Sequence, residues 1–208
     1  HRIEEGETLV SADLWIKWYA DAIPVCEHVV YSVLKDISGK PEIAYGISMN
    51  VTGERQEQAA FYRNMHELLS ENPDALGMLR ANVTDNVCIK ERGAKSLFID
   101  EEQPDTLDGI IEAVAGRIPS EKDRKEFLKK FNSQNLIDEF ENGKKNIQFE
   151  YRRTGKNGCG LWIKTVMNML RNPETRDIEG VIYSMDVTRE HENKDVLRIL
   201  TGREYDFI

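Results

Sequence analysis

Residues 178–190 read Ile-Glu-Gly-Val-Ile-Tyr-Ser-Met-Asp-Val-Thr-Arg-Glu, and residues 43–55 have already ended one segment in nearly the same way, as Ile-Ala-Tyr-Gly-Ile-Ser-Met-Asn-Val-Thr-Gly-Glu-Arg. A shift of 136 positions lays Ser48 on Ser184, Met49 on Met185, Asn50 on Asp186, Val51 on Val187 and Thr52 on Thr188. The same shift, without a gap, lays Val30 on Val166, Leu34 on Leu170 and Lys35 on Arg171. That spacing is about one domain length, so the chain holds two copies of one module rather than a short-period solenoid.

The pattern around each copy is legible. Leu14-Trp15-Ile16-Lys17-Trp18-Tyr19 has the aromatic and β-branched character of a strand. His28–Lys35 and Glu42–Val51 flank a Gly- and Pro-containing turn and read as a hairpin. From Thr52 to about Ser70 the period becomes helical, with Ala60, Met65, Leu68 and Leu69 as the apolar stripe and Thr52 as an N-cap. Leu76–Ala81 and Val87–Lys90 then form a second hairpin. Three helices are expected after it: one carrying Leu107, Ile110, Ile111 and Val114, one opening at Pro119-Ser120 with Phe127, Leu128 and Phe131, and one capped by Ser133. Strands at 146–153, 161–171 and 178–187 follow, and Thr188 begins a last helix. The order of strands, helices and strands predicts an α+β fold with one antiparallel sheet and the helices segregated to one side.

This layout resembles a PAS domain, a sensory module with a five-stranded antiparallel sheet and a helical cover over a central pocket. Phe149-Glu150-Tyr151-Arg152-Arg153 resembles the family's first C-terminal strand, and Leu161-Trp162-Ile163-Lys164 its second. Met185-Asp186-Val187-Thr188 resembles the Asp-Ile-Thr signature that closes the domain and starts the outgoing helix, and residues 118–124 resemble its helix-initiating segment. On this resemblance residues 73–190 are a complete PAS-like domain. Residues 1–57 are the C-terminal part of a preceding one, with Asn50 where the signature has Asp. Residues 58–72 are the connecting helix and 191–208 an outgoing linker helix.

Composition narrows the function. At 40% hydrophobic and 31% charged residues the chain is an ordinary globular sequence. A net charge of −9 and a pI near 5.1 speak against a nucleic-acid surface. No apolar run reaches the length of a membrane span, and no signal-peptide pattern opens the chain, whose abrupt start reads as that of an excised fragment. Cys26, Cys88 and Cys159 are odd in number and widely spaced, which reads as reduced structural thiols in a cytoplasmic protein.

No catalytic constellation can be nominated, so an enzyme is not expected. His1, His28, His66 and His191 share no ligand spacing, and His66 and His191 read as exposed residues of linker helices, not metal ligands. Gly155–Gly160 is a loop between strands rather than a phosphate cradle, since no helix follows it. Cofactors are not expected either. The flavin-binding subclass implies a reactive Cys in an Asn-Cys-Arg context, which is absent, and a haem-binding member implies a His within 92–145, where there is none.

The last strand alternates Gly180, Ile182 and Ser184 on one face with Val181, Tyr183 and Met185 on the other. The bulky set needs a covering helix or a partner subunit, and the resemblance places the small set on the pocket side. Thr165, Met167 and Ser184 are therefore the expected ligand-binding residues. They suit a small, mostly apolar or weakly polar ligand, with no Arg or Lys evident on these faces to pair a carboxylate. Asp186 and Thr188 are the expected relay, Thr188 capping the outgoing helix. The implied function is a sensory module, a homodimer, that passes a ligand- or partner-induced change to an effector in the same polypeptide. A diguanylate cyclase, a cyclic-dinucleotide phosphodiesterase or a histidine kinase would fit that role. The alternative is a ligand-free scaffold for dimerisation and spacing.

Overall fold

A computed structural model describes residues 7–89, 104–154 and 160–203, with side chains as far as residue 198. Cys159, most of the 155–160 loop, His1 and the last five residues of the expected linker helix lie outside the described residues. The chain forms two compact units, residues 1–60 and 61–208.

The first unit contains β1 (Leu9–Ile16), β2 (Val25–Lys35), β3 (Pro41–Asn50) and the start of α1 (Thr52–Ser70). Its three strands form an antiparallel sheet in the order β1-β2-β3. β1 stops at Ile16, so Trp18 and Tyr19, expected in the strand, lie in the exposed turn after it. The hairpin from β2 to β3 turns on Asp36, whose carboxylate accepts from the backbone amides of Ser38 (2.8 Å) and Lys40 (2.9 Å), while Gly39 adopts φ = 80°.

The second unit contains β4 (Gly77–Asn82), β5 (Val87–Ile89), α2 (Leu107–Ala115), α3 (Glu121–Phe131), α4 (Ser133–Glu141), β6 (Asn146–Thr154), β7 (Gly160–Arg171), β8 (Ile178–Asp186) and α5 (Thr188–Arg203). Its five strands form one antiparallel sheet in the order β5-β4-β8-β7-β6. The fold is α+β, as the order of elements predicts. The central position of β8 explains its near-continuous apolar sequence, for it is flanked on both edges and covered on both faces.

The helices begin where short polar side chains can satisfy free amides. Thr106 accepts from the amide of Gly109 and Ser120 from that of Asp123, both at 3.2 Å. α4 is capped by Asn132, which accepts from the amide of Asn135 at 2.9 Å. Ser133, the expected cap, is the first helical residue, and its hydroxyl donates to Asp108 at 2.8 Å. The apolar stripes of α2, α3 and α4 pack on one face of the sheet, where Ile111, Phe127, Phe131, Leu136, Tyr151, Ile163, Met167 and Ile182 share a single core. The other face has its own smaller core. Phe61 and Met65, one turn apart, cover Met78, Val166, Val181 and Tyr183. The bulky row of β8 therefore has the helical cover its composition demands. Phe61 supplies the contact that had been expected of Ala60, which is exposed.

Candidate functional site

The face beneath α2–α4 carries the three expected ligand-binding residues. Thr165 and Ser184 are register partners on β7 and β8, and Met167 lies two residues along β7 from Thr165. All three are buried, Met167 completely. The two hydroxyls lie 2.8 Å apart, and Thr165 Oγ1 lies 3.2 Å from the phenolic oxygen of Tyr151 on β6. A buried chain of three hydroxyls thus runs Tyr151–Thr165–Ser184, each group satisfied by its neighbour, as a dry interior requires. Tyr151 stands edge-on to Phe127 at 5.2 Å between ring centres. Gly180, two residues before Ile182 on the same strand face, is held to glycine by close approach, since an added Cβ would collide with the carbonyl of Asn168.

The sequence pattern places Tyr151 in a strand but does not single it out for the site. Its phenol ends the hydroxyl chain, and an aromatic at alternate spacing in a strand looks the same whether it lines a pocket or fills a plain core. Burial pushes its phenol above tyrosine's ordinary range, so it remains protonated and able to donate. Arg153, two residues from Tyr151 on the same side of β6, and Arg117, just beyond α2, both bear electrostatically on the phenol. Burial first, and then the like charge of Arg117, draws the Arg153 guanidinium below its ordinary value, though it stays a cation at any physiological pH. An open groove of about 430 Å³ lies elsewhere, between α3, α4 and β6. Its lining mixes Lys129, Lys130 and Lys144 with Glu126 and Glu139, and Lys130 and Lys144 are paired with those acids.

The relay residues Asp186 and Thr188 meet at the end of β8, and their bonds are repeated atom for atom in the first unit. Asp186 Oδ1 accepts from the Thr188 amide at 2.9 Å, and Asn50 Oδ1 accepts from the Thr52 amide at 3.0 Å. Thr188 Oγ1 accepts from the amide of Trp162 at 2.9 Å, and Thr52 Oγ1 from that of Cys26 at 2.8 Å. The Val187 amide donates to the Trp162 carbonyl at 2.8 Å, as the Val51 amide does to that of Cys26 at 2.9 Å. The strand registers agree as well: Thr165 faces Ser184 as Val29 faces Ser48, and Ile163 faces Asp186 as Glu27 faces Asn50. This corrects the expectation for both threonines. Neither hydroxyl caps its own helix; each fastens the helix start to the neighbouring strand, while Asn50 or Asp186 satisfies the first amide.

A second contact also recurs. Arg55, in the first turn of α1, is ion-paired with Asp13 on β1, and His191, in the first turn of α5, bonds Glu150 on β6 at 2.9 Å. The same 136-residue shift relates Arg55 to His191. His191 is therefore not the exposed helix residue that its position predicts. Its ring stacks on Trp162 at 4.0 Å and 5°, and Arg152 lies over the same indole at 5.3 Å. In the first unit, hydrogen bonding from His28 first, then the charge of Arg55, holds the Asp13 carboxyl below the usual range. No cluster of three or more potential metal ligands exists among the described residues, and none of their helices is long and apolar enough to cross a membrane.

No family model and no curated protein matches the chain. The chain is similar to several solved structures. An RNA-binding Light-Oxygen-Voltage receptor is 11% identical, aligned over 95% of this chain and 81% of its own, with a TM-score of 0.36. A sensory box histidine kinase/response regulator from Burkholderia thailandensis E264 is 16% identical over 68% of this chain and 98% of its own, also at 0.36. The periplasmic sensory domain of the Campylobacter jejuni chemoreceptor Tlp1 is 12% identical over 86% of this chain and 50% of its own, at 0.23. Identities and scores this low leave the functional reading to the chain's own residues.

Proposed function

We propose that this chain is a PAS-like sensory fragment of a cytoplasmic signalling protein, non-catalytic in itself and dimeric. In this reading residues 73–190 are the sensing domain, and 1–57 close a preceding module of the same kind. The observation that carries it is the duplicated junction, where two sheets hand off to a helix through the same three backbone and side-chain bonds. A junction whose only task was to connect would not need the same register, the same asparagine or aspartate and the same threonine twice. A ligand or partner that alters packing around Thr165, Met167 and Ser184 acts on β7 and β8, the strands that hold α5. The effector that α5 addresses would be a diguanylate cyclase, a cyclic-dinucleotide phosphodiesterase or a histidine kinase in the same polypeptide. The hydroxyl chain favours a small, weakly polar ligand, and Arg153 and Arg117 would accommodate an anionic group at the Tyr151 end.

One observation favours the alternative, a ligand-free scaffold for dimerisation and spacing. The expected pocket is filled by Tyr151, Phe127 and Phe131, and its hydroxyls satisfy one another. Native mass spectrometry of the purified chain separates the two readings. A retained small molecule whose release raises hydrogen exchange at residues 189–194 supports sensing. A chain that carries nothing, and whose exchange there ignores a small-molecule library, establishes the scaffold.

A further inference from the structure

The two junctions differ in the basic side chain that pairs the first helical turn with a carboxylate. Where the first unit holds its helix with an arginine, which is a cation at every physiological pH, the second uses a histidine. We propose that His191, Trp162 and Glu150 form a proton-sensitive clasp on the first turn of α5, closed when the imidazole takes up a proton and loosened when it gives it up. The inference rests on the relay reading only for its biological consequence; the clasp itself is a property of this chain.

The geometry supplies what the protonated ring needs. The imidazolium gains a charge-assisted bond to Glu150 at 2.9 Å and lies flat on the indole of Trp162, whose backbone amide also holds Thr188. A neutral ring keeps the shape of the contact and loses the charge. The surrounding charges oppose one another. Arg152 on β6, Lys164 on β7 and Lys194 one turn along α5 disfavour the added cation, and Lys164 also faces Glu150 across the strands. Glu150, Asp186 at the end of β8 and Asp195 on α5 favour it. A cation in the first turn also works against the helix dipole. Arg55 bears that same opposition at the equivalent place and is nonetheless paired, which indicates that a facing carboxylate outweighs it. Both partners are partly open to water, with side-chain exposures of 23% for His191 and 36% for Glu150, so the change in clasp stability is modest, about two- to fivefold. Loss of the ring's proton thus loosens the first turn of α5, and the helix responds to protons with no pocket ligand present.

The test uses the full chain with Trp15→Phe and Trp18→Phe, so that the remaining indole, Trp162, reports the stack. Emission is followed from pH 5 to 8, and protection factors for residues 189–194 are compared at pH 5.5 and 7.5. The expected result is quenched emission and two- to fivefold higher protection at the lower pH. His191→Arg should hold the high-protection level at both values, and Glu150→Gln should weaken the pH dependence of protection while leaving the chain folded by circular dichroism. Flat Trp162 emission in the parent, or an undiminished pH profile in His191→Arg, overturns the clasp. Neither result bears on whether a ligand binds, which the mass-spectrometric experiment decides separately.

Discussion

Replacing Thr188 by valine removes one oxygen and keeps the shape of the side chain. The structure assigns that oxygen a single partner, the amide of Trp162 at 2.9 Å, across 26 residues of sequence and partly shielded from water. Losing the bond costs about 1 kcal/mol, rising to about 2 kcal/mol if the amide stays dry and unsatisfied. For a chain of 208 residues, 1 kcal/mol corresponds to roughly 2–4 °C in the midpoint of thermal unfolding. The local effect should be easier to see, because 1–2 kcal/mol is a factor of roughly 5–30 in the opening equilibrium that exposes the Trp162 amide. Hydrogen exchange resolved at Trp162 and at residues 189–194 is the assay, with Thr188→Ser as the control that restores the acceptor. Thr52→Val should act in the same way on the amide of Cys26. If Thr188→Ser exchanges as fast as Thr188→Val, or if the Trp162 amide is unaffected by either, the fastening does not depend on the hydroxyl and the argument from the duplicated junction fails.

Two further outcomes follow from buried groups. Glu179 accepts two bonds from Arg80, at 2.7 and 3.0 Å, and one from Asn172 at 2.6 Å, so Glu179→Leu should cost roughly 3–5 kcal/mol in urea denaturation, while the double replacement with Arg80→Met should recover most of it. Equal stabilities of the single and double variants would show that Arg80 does not depend on that carboxylate. Ser184→Phe enlarges a side chain already packed with Thr165 and Tyr151, and should destabilise by roughly 1–3 kcal/mol; a neutral or stabilising effect would instead reveal space for a ligand there.

Periodicity and the repeated ending made much of the fold legible. The strands and helices fall within a few residues of where composition places them, because each segment's apolar spacing has only one regular structure that buries it. The duplicated stretch even predicted which residues of β8 share a face, since alternation in a strand follows from backbone geometry alone. Partners across the fold were not legible. Asn132 rather than Ser133 caps α4 because Asp108, 25 residues away, takes the serine hydroxyl. Thr188 would have served as a cap in an isolated helix, and only the neighbouring strand redirects it. Tyr151 and Arg153 were read as members of a strand, and it took the closing of the sheet to bring the phenol to Thr165.

His191 draws the line between the two kinds of information most sharply. That residues 55 and 191 occupy equivalent places is a property of the repeat, present in the sequence before any folding. That both of them hold a carboxylate, one on β1 and the other on β6, depends on strands far off in the chain being drawn alongside. Local spacing decides which elements form because hydrogen bonds within a helix, and alternation along a strand, involve near neighbours only. What each polar side chain then touches is decided by tertiary packing, because in a buried or half-buried setting a donor must accept whichever partner the fold delivers.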